Sequence, residues 1–337
     1  MSEDILMENQ QENIGLNNNN PVPDTEVPQK SGIFDNKRVL LLGSILGVAC
    51  WSLAGNTCRL AIQGAFLNQT FLVTHEKFGP NAIGCFIMGF ISSLASMVTR
   101  ETKFPWIYNS ILVGFCGSLT TFSGWILDVV GQENAALAIG ELISGLTMPF
   151  IFLIWGRDCA LVLRPIIQKV LRGMNKAEYS CGNLHMVNFF FLIFSIVATV
   201  VIPIVIEVFV HHETIDVSFA DRRAVVLGPA GAVPRFLLAL LLNGLSCTRK
   251  FPLGTLLSNI IAVILTGIFD YYYRKTGNEW YSILMNGLCG SLSTVSSFVN
   301  EIVGQYTNGM RGMAYLYAFI SLAINCAILA ICRHAFP

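Results

Sequence analysis

Charge is what this 337-residue chain has least of: Asp, Glu, Lys and Arg together make up 12% of it, about half the share of an ordinary soluble domain. The 21 acidic and 21 Lys/Arg residues cancel, and the basic ones lie between apolar segments rather than in one patch. No basic field exists to attract nucleic acid, and that partner class is set aside. The ten cysteines form no CxxC pair and have no histidine at ligand spacing, which removes the usual zinc patterns. Cys50, Cys58, Cys85, Cys116, Cys289 and Cys326 fall inside apolar segments and read as buried thiols. His211 and His212 sit side by side in an acidic loop, a loose metal site at most and more simply two solvated histidines. Neither a phosphate-binding glycine loop nor a nucleophile motif occurs, so an enzyme is not the reading. Residues 1–36 lack apolar periodicity and are rich in Asn, Gln, Pro and Glu. Such a segment cannot bury enough surface to offset its ordering entropy and is expected to be a disordered cytoplasmic tail rather than a signal peptide.

What is present is apolar length. Hydrophobic residues form 53% of the chain, with 23 Phe, and they gather into nine segments at about 39–58, 82–98, 107–128, 135–155, 186–209, 223–243, 252–273, 281–303 and 313–332. Each comes near the ~20 residues that cross ~30 Å of hydrocarbon. An all-α polytopic membrane protein is therefore expected. With the N-terminus inside, the cytoplasmic loops hold most of the Lys and Arg, from Lys37 and Arg38 through Arg157, Arg164, Lys169 and Arg172 to Arg249, Lys250 and Arg311. The outer loops keep only Lys77, Arg222, Arg223, Arg274, Lys275 and Arg333. That bias predicts a cytoplasmic N-terminus and an outer C-terminus. The sequon Asn68-Gln69-Thr70 then falls in an outer loop and makes Asn68 a glycosylation candidate.

The chain is also duplicated. GFCGSLTTFSGW at Gly114–Trp125 returns as GLCGSLSTVSSF at Gly287–Phe298. Gly55-x-x-x-Arg59 is matched by Gly231-x-x-x-Arg235, Asn81 by Asn259, Asp128 by Glu301, and Val130-Gly131-Gln132 by Val303-Gly304-Gln305. Two four-segment units separated by one extra segment must enter the membrane from opposite sides. The predicted fold is two inverted four-helix repeats joined by a linking transmembrane helix (4+1+4): a tail over 1–36, a first repeat over 37–157, a linker with its helix over 158–221 and a second repeat over 222–337. Inverted repeats place sites at their interface near the midplane.

The runs Gly117–Ser123 and Gly290–Ser297 hold too many helix-weak residues for unbroken helices. A break in each would release carbonyl oxygens, and two breaks meeting at the interface could coordinate a monovalent cation. The alternative is a close helix crossing of small residues with self-satisfied hydroxyls. Phe122 and Trp125, or Val295 and Phe298, lie three apart beside hydroxyls such as Ser296; aromatic edges are positive and can partly replace the hydration of a small anion, though core packing is the commoner use. Asn81 and Asn259 offer N–H donors to an anion or to a neighbouring helix. Arg59 and Arg235 either make an electropositive vestibule or snorkel to the interface. Asp128 and Glu301 could pair with a base or cap a helix.

Taken together, Gly-x-x-x-Arg, the helix-two Asn and Gly-x-Cys-Gly-x-Leu-Thr-Thr-Phe-Ser-x-aromatic resemble the fluoride channels of the CrcB/Fluc and FEX group over nearly the whole chain from about residue 39. The resemblance implies a passive, fluoride-selective channel of a eukaryotic plasma membrane, acting as a monomer whose repeats form a pseudo-dimer. Fluoride enters cells as the neutral weak acid, ionises and is trapped, and a pore lets it leave; an inside-negative potential favours exit by about 2.3 kcal/mol per 100 mV. The resemblance also implies a structural sodium ion held by the carbonyls of Gly117, Thr120, Gly290 and Ser293. It puts Phe122 and Phe298 in one fluoride pore with Asn81, Asn259, Thr255, Ser296, Tyr317 and Ser321, and leaves Arg59 and Arg235 in vestibules. The departures are Trp125 and Val295 at phenylalanine positions, Lys77 where Thr255 stands in the second repeat, and Gly140 at a tyrosine position. These imply one working pore and one degenerate pathway. The rival reading, a proton-coupled small-molecule transporter on a similar repeat, requires a titrating carboxylate in the substrate cavity.

Overall fold

The computed structural model describes residues 37–66, 77–98, 105–175, 193, 195, 197, 201, 219–243 and 251–335, all within one compact unit, Ile33–Pro337. The expected tail, the Asn68 sequon, the His211–His212 pair and nearly all of the linking segment 186–209 lie outside the described residues.

Every described element is helical. Helix α1 is Lys37–Phe66 and α2 Phe78–Val98. Helix α3 is composite, running Pro105–Asn109, then a π-helical stretch Ser110–Cys116, then Gly117–Leu119. It stops, and α4 resumes at Phe122–Val130, followed by α5, Ala135–Asn175. The second set repeats the plan: α6 Phe219–Val226 with α7 Gly228–Leu242, α8 Leu253–Thr276, a composite α9 of Glu279–Leu284, π-helical Met285–Cys289 and Gly290–Leu292, then α10 Val295–Thr307 and α11 Arg311–Ala335.

Among the described residues, seven helical stretches are long and apolar enough to cross a membrane, including Arg38–Gly64, Ile107–Val130, Glu279–Thr307 and Arg311–Ala335. The predicted second segment appears as α2, whose apolar part Phe78–Leu94 is shorter than the other spans. The protein is a multi-pass membrane protein. Sequence reading ended the fourth segment at 155, whereas α5 runs on to Asn175, through the expected repeat boundary at 157. Charge does not itself end a helix, and Arg157 is held there by donating to Asn300 Oδ1 at 2.9 Å.

Local chemistry sets several ends. Asn134 accepts from Leu137 N–H at 2.9 Å and opens α5; Asn278 accepts from Trp280 N–H at 3.0 Å and opens α9, as N-caps do. Helix α8 closes on Gly277 at φ 65°, a left-handed position that costs glycine nothing. Inside the fold, glycines set how closely helices approach. A Cβ at Gly55 would lie 2.3 Å from Phe115 O and one at Gly231 2.3 Å from Leu288 O, so α1 meets α3 and α7 meets α9 backbone to backbone. Gly89 against Leu153 O (2.0 Å) and Gly156 against Phe86 O (2.1 Å) do the same for α2 and α5, the small-residue packing that lets helices associate in lipid.

The two sets are interleaved. Helix α4 of the first packs on α8 and α11 of the second, and α10 of the second packs on α2 and α5 of the first. Each repeat thus lends the half-helix after its break to the other.

Candidate functional site

The two breaks are Thr120–Thr121 and Ser293–Thr294, where the backbone turns extended: Thr120 has φ −97°, ψ 149° and Ser293 φ −94°, ψ 159°. The sequence reason is the loss of helix preference through Gly-Ser-Leu-Thr-Thr and Gly-Ser-Leu-Ser-Thr, whose hydroxyls compete for backbone groups. A break at this depth leaves N–H groups that must find partners, because no water in hydrocarbon will supply them.

They find partners across the repeat boundary. Ser293 Oγ accepts from the N–H groups of Phe122 (3.1 Å) and Ser123 (3.0 Å), capping α4 from the other repeat. Thr120 Oγ1 reciprocally accepts from Val295 (3.2 Å) and Ser296 (3.1 Å), capping α10. The second residue of each break caps its own helix: Thr121 Oγ1 takes Gly124 N–H and Thr294 Oγ1 takes Ser297 N–H, both at 3.3 Å. Asn81 and Asn259 brace the remaining backbone. Asn81 Oδ1 accepts from Thr121 N–H at 2.8 Å while its Nδ2 donates to Thr121 O at 3.2 Å; Asn259 does the same to Thr294 at 2.9 and 3.4 Å. Of the two uses the sequence left open for these asparagines, each here spends its carbonyl oxygen and one N–H on a neighbouring helix.

Because the N–H groups of residues 121–124 and 294–297 are all engaged in these ways, the carbonyls of Gly117–Thr120 and Gly290–Ser293 are released from the partners an unbroken helix would give them. One, Ser291 O, accepts from Arg235 Nε at 2.9 Å. The rest offer hard oxygen ligands on two facing turns, a donor set suited to a small monovalent cation.

Arg59 and Arg235 are buried, at 1% and 2% exposure, and neither snorkels. Each reaches over the opposite repeat's pre-break glycine. A Cβ on Gly117 would come within 2.1 Å of the Arg235 guanidinium, and one on Gly290 within 2.5 Å of that of Arg59. Arg235 also donates to Val113 O at 2.9 Å. Arg59 Nη2 donates to Asn56 Oδ1 and Asn286 O, while its Nη1 is a buried donor without a partner. Arg59 lines a cavity of about 240 Å³ shared with Gln63, Lys77, Thr121 and Asn286. Arg235 does not line it.

Beside the crossing runs a row of edge-on rings. Phe122 and Phe298, both fully buried, meet at 5.4 Å between centroids and 78°; Phe298 meets Tyr317 at 5.4 Å and Tyr317 meets Phe251 at 5.2 Å. On the other side Phe122 meets Trp125 at 5.4 Å and 85°. Thus the structure brings Phe122 and Phe298 together from opposite repeats. Ser296 sits at the crossing, with its Oγ donating to Cys116 O at 3.1 Å. Ser321 lies buried on α11, one turn from Tyr317.

Sequence reasoning missed the part played by Glu301. Its Oε1 accepts from Thr255 Oγ1 at 2.6 Å and Asn243 Nδ2 at 3.4 Å, and its Oε2 from Tyr317 OH at 2.8 Å. This joins Thr255 and Tyr317, both expected pore residues, through one buried carboxylate. The matched pair Asp128/Glu301 was the available signal. In the first repeat the same position is occupied differently: Lys77 Nζ lies 3.2 Å from Asp128 Oδ1. Trp125 fills the space that Gly145 leaves and donates from Nε1 to Glu141 O at 3.3 Å, and Val295 is fully buried.

The family model for CrcB-like protein, Camphor Resistance (CrcB), matches the chain twice, at residues 46–157 and 223–332. The chain is 36% identical over 107 residues to the "Fluoride-specific ion channel FluC" of Escherichia coli (strain K12), covering 31% of this chain and 83% of that protein. It is 25% identical over 243 residues to "Fluoride export protein 1" of Candida albicans, covering 65% of this chain and 58% of that protein. No solved structure matches it.

Proposed function

We propose that this chain, which belongs to the CrcB-like protein family, is a passive fluoride-selective channel that exports cytoplasmic fluoride down its electrochemical gradient. The observation that carries the reading is the pair of edge-on phenylalanines, Phe122 and Phe298, set against two broken helices that cap one another. Fluoride is small and strongly hydrated. Its water must be replaced by ring edges and hydroxyl or amide hydrogens, and those are the groups that line this crossing. A channel carries its ion without a reacting group, and the protein is not an enzyme.

In this reading one pathway runs by Phe122, Phe298, Tyr317 and Ser321, with Thr255, Asn259 and Ser296 beside it and Asn81 holding the other break. Trp125 and Val295 mark the second, degenerate pathway. Arg59 and Arg235 lock the repeats together, and Arg59 gives the 240 Å³ cavity its positive wall. A sodium ion at the carbonyls of Gly117, Thr120, Gly290 and Ser293 would neutralise the released dipoles and pin the breaks. The rest of the proposal is a cytoplasmic N-terminus, an inverted 4+1+4 arrangement with its linking helix at 186–209, a plasma-membrane location, Asn68 glycosylation and function as a monomer in the bilayer.

Fluoride efflux from liposomes reconstituted with the full chain tests it. Efflux should be electrogenic, fluoride-selective over chloride and unaffected by an imposed pH gradient. Flux that required a proton gradient would replace the channel with the coupled transporter.

A further inference from the structure

We propose that the Lys77–Asp128 ion pair is a fixed ionic seal that closes the second pathway where it meets the Arg59 cavity. The inference rests on the fluoride-channel reading and concerns the pathway which that reading leaves without conduction.

The two pathways can be compared residue by residue. Thr255 stands four residues before Asn259, which braces Thr294; Lys77 stands four residues before Asn81, which braces Thr121 in the same way. Glu301 on α10 is matched by Asp128 on α4. On the first pathway the carboxylate is met by hydroxyls and an amide, from Thr255, Tyr317 and Asn243. Hydroxyl hydrogens rotate, so such a network can lend a donor to a passing anion and take it back. On the second pathway an ammonium replaces the hydroxyl. Lys77 Nζ and Asp128 Oδ1 are 3.2 Å apart, with side chains only 14% and 13% exposed.

Lys77 also lines the cavity that holds Arg59, together with Gly124 and Leu127 from the helix bearing Asp128. The pair therefore borders that cavity, and Asp128 shares its helix with Trp125. An anion coming from the cavity meets either a closed pair or, if the pair opens, the Lys77 ammonium. Separating a nearly buried pair is strongly unfavourable, since each charge is left without its partner in a poorly solvating site. An ammonium freed to bind fluoride would hold it too tightly, because conduction needs binding weak enough to release. Both states block.

The test uses the full chain in liposomes, read as initial fluoride efflux with a fluoride electrode. Phe298→Ile first silences the first pathway. In that background, rebuilding the second pathway's rings with Trp125→Phe and Val295→Phe should leave efflux at background, and adding Lys77→Thr should raise it at least about tenfold. Reversing the pair, with Lys77→Asp and Asp128→Lys in the ring-rebuilt protein, should keep it shut. If Lys77→Thr does not fold, the neutral combination Lys77→Gln with Asp128→Asn takes its place with the same expectation. Efflux from the ring-rebuilt protein with the native pair intact would overturn the proposal. So would efflux through the reversed pair, or continued closure of a neutralised variant that elutes as a folded, monodisperse protein. Failure of the channel reading itself would show separately, as no fluoride efflux from the unaltered chain.

Discussion

Gly84 tests whether the cross-capped breaks carry the stability of the fold. A Cβ at Gly84 would lie 2.4 Å from Thr120 Cγ2, closer than any real contact of that kind. Thr120 cannot turn its methyl aside freely, because the same rotation moves Oγ1, which holds the N–H groups of Val295 and Ser296. Gly84→Ala must then either overpack the site, at about 1–3 kcal/mol, or release two buried donors, at about 1–3 kcal/mol each. The expected loss is about 2–4 kcal/mol. The second repeat supplies the remedy: Ala262 stands where the first has Gly84, and Ser293 where the first has Thr120. Thr120→Ser keeps the capping oxygen and removes the methyl. In the Gly84→Ala background it should restore stability to within about 1 kcal/mol, a coupling of about 1–3 kcal/mol in a double-mutant cycle. Unfolding by SDS titration of the purified protein reads both numbers, and fluoride efflux should fall and recover in parallel. A neutral Gly84→Ala, or a Thr120→Ser that fails to rescue it, would refute the cross-capping argument.

Further outcomes follow from the same geometry. Gly117→Ala and Gly290→Ala should each lower the yield of folded protein in a fluorescence-detected size-exclusion assay, because the new methyl meets an arginine guanidinium of the opposite repeat that is itself bonded to carbonyls. Phe122→Ile and Phe298→Ile should each bring fluoride efflux to background, while Trp125→Phe and Val295→Ala stay within about threefold of wild type; equal losses from all four would contradict an asymmetric pair of pathways. Replacing sodium by N-methylglucamine throughout purification should lower the apparent melting temperature, if the released carbonyls of Gly117, Thr120, Gly290 and Ser293 hold a cation. An unchanged melting temperature at zero sodium would count against that site.

How far the sequence goes depends on the range of the interaction. The spans of the two repeats, the duplication and the positions of both breaks were legible because hydropathy, repeated motifs and helix-weak runs are local or self-similar signals. The π-helical stretches Ser110–Cys116 and Met285–Cys289 leading into the breaks were not; the glycines they carry, Gly114 and Gly287, lie against the backbone of Val48 and Ala224, contacts between segments far apart in the chain. The divergence of the aromatic positions was also plain from comparing the two copies.

What the repeated motif does was decided only by the tertiary structure. Ser293 caps Phe122 from 171 residues away, Thr120 caps Ser296 from 176, and each arginine of Gly-x-x-x-Arg reaches over the other repeat's glycine. No periodicity carries such pairings, because they depend on which repeat a half-helix lies against. By itself the sequence determined that this is a duplicated, multi-pass helical protein with two broken, hydroxyl-rich helices. The structure decided that each break is completed by the other copy, since a backbone donor freed inside a membrane has no water to turn to and takes the nearest oxygen that packing delivers.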